Sequence, residues 1–209
     1  MSTNDNKYIE YFTKYKGDVK EFLYKDSKYI FIVESPHKEE LKNQYVVAGS
    51  SGKSISNVLG FGDEALGTLL DKKEISNISV LNVSRVPLQK IDEFAIEYSD
   101  SIEDLNVVRD NPKAVTNRDN ENINEFECLV LKDFKERMEN IHFNSDGKMI
   151  IVCGSFAEYY FKKIIEDMEL KCDIKYLPHP SYKKWELIMR YKEEMTNLYA
   201  EFNLSNWMI

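Results

Sequence analysis

The chain has 209 residues, with 28 Lys plus Arg against 36 Asp plus Glu, a formal charge of -8 and 43% hydrophobic residues. Folding at this length buries roughly 70% of the extended-chain surface, so one domain over residues 1–209 with its own core is expected, and collagen-like, disordered and miniature stapled classes are excluded. Cys128, Cys153 and Cys172 lack C-x-x-C spacing, so no disulfide framework, metal or cluster cradle is expected, and no cofactor. The longest apolar runs, at 29–33 and 149–154, fall far short of the roughly 18 residues of a membrane span. The start MSTNDNKYIEYF has no signal-peptide apolar core, and a soluble cytoplasmic protein without a membrane partner is expected.

Tyr8, Tyr11, Phe12, Tyr15, Val19, Phe22 and Leu23 recur at three- and four-residue steps and predict an amphipathic helix over 7–25. KYIFIVES reads as a buried strand. Residues 36–52 lose periodicity and read as a long loop, of the kind that is usually functional. KSISNVLGF and ALGTLLDK read as helices, and ISVLNVSRVP as a second strand closed by Pro87.

Between 91 and 127 eleven acids face three bases, a local charge of -8. With the Asn/Asp-rich centre RDNPKAVTNRDNEN, this predicts a peripheral acidic insertion at about 91–122, open to a protein partner. INEFECLVLKDFKERMENI is a helix, KMIIVCG a strand, SFAEYYFKKIIEDME a helix opened by Ser155, CDIKYLPHPS a strand running into a loop, and KKWELIMRYKEEMTNLYAEF a last helix. Strands alternating with helices predict a three-layer α/β/α sandwich on a four-stranded parallel sheet, with the ligand site at the carboxyl ends of the strands.

Those ends carry Glu34-Ser35-Pro36-His37, Asn82-Val83-Ser84-Arg85, Gly154-Ser155 and His179-Pro180-Ser181. A carboxylate, an amide and an imidazole would therefore meet in one crevice. GSSGKS at 49–54 is a glycine nest entering a helix, where Gly49, Ser50, Ser51, Gly52 and Lys53 could bind a phosphate. It lacks the Walker spacing, since Val47 stands where the first glycine would be. Glu34, His37 and His179 also pose a metal alternative, although E-x-x-H on a loop is not a zinc-hydrolase pattern.

FIVESPHKEE with VVAGSSGKSISNVL, then ISVLNVSRVP, IVCGSFAEYYF and LPHPSY resemble, in order, the motifs of the uracil-DNA glycosylase superfamily across residues 29–182. The resemblance implies N-glycosidic hydrolysis of uracil or a related modified base in DNA. It gives Glu34 the water and the sugar, Asn82 the base edge and His179 the leaving oxygen. Ser35, Pro36, Tyr45 and Val47 would lie near the base, and Ser181, Tyr182 and Lys183 near DNA phosphate. The chain departs from the pattern at Val33 and His37, which replace motif glycines, at Val47, which replaces the stacking Phe, and in the absence of cluster cysteines. The alternative is a non-catalytic member of the fold that binds nucleic acid, nucleotide or protein.

Overall fold

The computed structural model describes residues 7–89, 91–95, 97–98, 105–110, 121–141, 147–166, 168, 170, 172–181 and 185. The expected last helix, and with it Tyr182 and Lys183, lies outside the described residues apart from Trp185. Among the described residues four strands form one all-parallel sheet in the order β2-β1-β3-β4. They are β1 (Tyr29–Val33), β2 (Ile78–Asn82), β3 (Met149–Cys153) and β4 (Asp173–Leu177). The first three are buried throughout and, apart from Asn82 at the end of β2, apolar or small at every position, as strands covered on both faces must be. The edge strand β4 is mostly exposed.

The pleat sends alternate residues to opposite faces. Ile30, Ile32, Leu81, Ile150 and Val152 enter one core with Tyr11 and Phe12 of α1 (Lys7–Tyr15), Phe126, Val130 and Phe134 of α7 (Glu121–Asn140), and Phe156 and Tyr160 of α8 (Ser155–Ile165). Tyr29, Phe31, Val33, Val80 and Ile151 enter the other with Ile55 and Leu59 of α3 (Ser50–Leu59) and Leu66 and Leu70 of α4 (Leu66–Asp71). The helices thus cover both faces, giving the α/β architecture that the strand–helix alternation predicts.

Three local expectations change. The first helix stops at Tyr15 rather than running to residue 25. After Gly17 the chain extends, and Phe22 exchanges backbone hydrogen bonds with Val80 at 3.1 and 2.8 Å, which covers the outer edge of β2. The expected loop 36–52 contains α2 (Lys38–Asn43), and α3 starts at Ser50, three residues before the expected start at Lys53. The acidic stretch forms α5 (Ile91–Phe94) and α6 (Leu105–Asp110). It is not purely peripheral, because Ala95, Leu105 and Val108 are buried in the first core. Leu105 and Val108, three residues apart on α6, share the side that enters this core.

Candidate functional site

The parallel register sets Val33 opposite Asn82, and Cys153 opposite Leu177. The segments leaving β1, β2 and β4 therefore emerge at the same end of the sheet. They frame a cleft of about 360 Å³ lined by Glu34, Ser35, Asn82, Arg109, His179 and Ser181, with further walls from the α2 and α3 loops. Glu34, Asn82 and His179, far apart in sequence, face this one space. Its size falls in the range of small-ligand sites.

Asn82 is 1% exposed, and its Oδ1 has no hydrogen-bond partner among the described residues. The Ser35 Oγ, in the loop that follows β1, is in the same state. A buried acceptor without a partner costs about 1–3 kcal/mol, so the end of the sheet holds polar capacity that an N–H of a ligand would satisfy. The backbone of Asn82 is fixed from behind. Its N–H donates to Glu21 Oε1 at 2.9 Å, and its carbonyl accepts from the Arg137 guanidinium at 2.7 Å. Arg137 also pairs with Glu21 at 2.8 Å and with Asp133 at 2.8 Å, and donates to the Val83 carbonyl at 2.9 Å. Burial pushes the Glu21 carboxyl up, against the Arg137 guanidinium, which favours its charge.

Glu34, in the loop after β1, accepts a hydrogen bond from Arg109 Nε at 2.5 Å. Arg109 stands on α6, so the acidic stretch delivers the basic group of the cleft. Three residues after the helix-capping His37, Glu40 turns back beneath the loop. Its two carboxylate oxygens accept the His37 N–H at 2.8 Å and the Val47 N–H at 2.5 Å. These bonds favour the carboxylate, but desolvation prevails and pushes the Glu40 carboxyl up to about 7.

Val47 adopts φ 49°, a left-handed conformation costly for a β-branched residue. Glu40 and two glycines hold it there. A Cβ on Gly52 would lie 1.8 Å from the Val47 carbonyl oxygen, and one on Gly67 would lie 2.0 Å from that of Val46. Only glycine permits these approaches.

The Ser181 backbone N–H donates to His179 Nδ1 at 3.2 Å, with Ser181 Oγ at 2.9 Å from the same nitrogen. Nδ1 is therefore an acceptor, and the proton of the neutral ring resides on Nε2. Gly154, at φ 94° in the β3–α8 turn, backs the ring, since a Cβ there would come 3.0 Å from the His179 Cβ.

The other predicted site residues divide. Val47, Gly49, Ser50 and Ser51 line the cleft. Gly52 packs under Val47, while Lys53 is exposed and not among the lining residues. Tyr45 turns away, its hydroxyl 3.0 Å from Thr68 Oγ1 and its ring 6.2 Å from that of Phe22. Pro36 lines a neighbouring pocket of about 130 Å³ with Leu41 and Phe94. Glu34, His37 and His179 share the cleft, yet among the described residues no group of His, Cys, Asp or Glu is placed to hold a metal ion. No described helix is long and apolar enough to cross a membrane.

Sequence reasoning missed Glu40, Arg109 and the Glu21–Arg137 pair. Glu40 stands at capping-box spacing from residue 37, but His37 is not one of the residues that mark such a box in a sequence, so none of the three had a legible signal. Compared with known proteins, the chain matches no family model and no curated protein.

Proposed function

We propose that the cleft receives a nucleobase turned out of a DNA strand and that the chain hydrolyses the N-glycosidic bond of uracil or a related modified base. The observation that carries this reading is the meeting of Glu34, Asn82 and His179 in one cleft, with the Asn82 Oδ1 buried and unpartnered among the described residues. The resemblance of the strand-end motifs supports the same assignment.

In this mechanism Asn82 accepts the ring N–H of the base. The C1′–N bond breaks with its electron pair leaving on the base, whose carbonyl oxygen is stabilised by the His179 Nε2–H. The sugar acquires oxocarbenium character, which the Glu34 carboxylate offsets while orienting a water toward C1′. As its oxygen bonds to C1′ the water passes a proton to the Glu34 carboxylate, and the released base anion takes up a proton from solvent. Val47 offers an aliphatic surface where an aromatic ring would otherwise stack, so base contact there depends on van der Waals packing.

A panel of oligonucleotides carrying uracil and other modified bases, assayed without added metal, tests the proposal. The expected result is base release that Glu34→Gln slows by about two to four orders of magnitude and whose base preference Asn82→Asp alters by replacing a donor with an acceptor. The Arg109–Glu34 ion pair favours a second reading, binding without cutting, because it engages the acid. Binding that depends on Asn82 and His179 with no base released would establish that second reading.

A further inference from the structure

Glu34 is engaged by Arg109, and that pair bears on which substrates the cleft can use. The Arg109 Nε to Glu34 Oε1 contact is 2.5 Å, with the two side chains 31% and 15% exposed. Partly withdrawn from water, the guanidinium offsets much of the negative charge that a cationic sugar would need. Its other partner, Asp110, is reached at 3.0 Å and is 67% exposed, which makes it a weak surface contact. Glu39 and Glu40 also line the cleft, and among the described lining residues Arg109 is the one lysine or arginine. An anion entering the cleft would therefore find its fixed positive charge already spent on Glu34. A phosphate presents the planar fork of arginine with acceptors as well matched as a carboxylate, and with more charge.

We propose that Arg109 is a specificity-determining latch, which releases Glu34 by transferring to a phosphate of the substrate, so that the cleft acts on phosphate-bearing nucleic acid and not on free nucleosides. The inference rests on the base-excision reading of the cleft. It also gives the acidic stretch a task, since α6 carries the latch and Leu105 and Val108 anchor α6 in the core.

Two measurements test it. In kinetics, R109Q should lower kcat/KM on a uracil oligonucleotide by about 10- to 100-fold and raise it on free deoxyuridine, so that the preference for the polymer collapses. An unchanged preference would overturn the latch while leaving base excision standing. In NMR, the wild-type Arg109 Nε–H signal, assigned by its absence in R109Q, should move saturably with inorganic phosphate but not with chloride at equal ionic strength. A signal indifferent to phosphate overturns the latch whatever the kinetics show. If the wild type cleaves neither substrate, base excision fails, and the phosphate titration alone then upholds or overturns the latch.

Discussion

Glu40 accepts two backbone N–H groups, and its carboxyl titrates near 7 in the folded protein against 4.5 for the ordinary side chain. The folded form holds this proton more tightly than the unfolded chain. Its contribution to stability is therefore fully present below 4.5 and lost as pH rises through 7. Urea unfolding of wild type and Glu40→Gln at several pH values should show the wild type losing about 2–4 kcal/mol relative to the variant between pH 4.5 and 8. Parallel profiles would show that the carboxyl does not titrate in this window. Arg137→Met should cost about 3–5 kcal/mol, because it leaves the buried Glu21 carboxylate without its partner. Under the proposed function it should also weaken base binding, since the carbonyls of Asn82 and Val83 lose the donor that fixes them. Calorimetric melting and oligonucleotide titration of that variant check the two effects separately.

At the scale of elements, the loop from Tyr45 to Gly49 is shaped by what packs against it. Gly52→Ala sets a methyl against the Val47 carbonyl and should cost about 1–3 kcal/mol. Gly17→Ala, with open space around it, should stay within about 0.5 kcal/mol of wild type by urea denaturation. The inner strands were legible because a short apolar β-branched run admits few other readings, as with YIFIV in β1 and MIIVC in β3. The start of α3 was misplaced because Ser50 and Ser51 read equally well as loop or as first turn. What selects the helix is Gly49 in extended backbone ahead of it, and that depends on Val47 being held at positive φ by a carboxylate seven residues earlier. No local periodicity carries such information.

The whole molecule places Glu34, Asn82 and His179 together through sheet order alone, and that part of the site followed from the strand ends in sequence. The remainder depends on long-range partners. Glu21 meets Arg137 across 116 positions, and Glu34 meets Arg109 across 75, pairings that composition cannot specify. The acidic stretch misled for the same reason, since its charge dominates its sequence while a few apolar residues decide its position. Leu105→Ala should therefore cost about 2–5 kcal/mol in a denaturant melt. A surface residue would lose almost nothing.

Trp185 is fully buried, its ring 6.1 Å from that of Phe31 and its indole N–H donating to the Pro178 carbonyl at 2.7 Å. Pro178 adjoins His179, so the indole reports on the backbone that carries the imidazole. The sequence contains one other tryptophan, Trp207, beside 13 tyrosines, and Trp207→Phe would leave Trp185 as the single tryptophan, excited selectively at the red edge where tyrosine hardly absorbs. Its emission should be blue-shifted in the native protein, shielded from aqueous quenchers, and, under the proposed function, sensitive to any movement of the His179 loop when an oligonucleotide enters the cleft. The protein thus carries an optical gauge of its own site, read without a label.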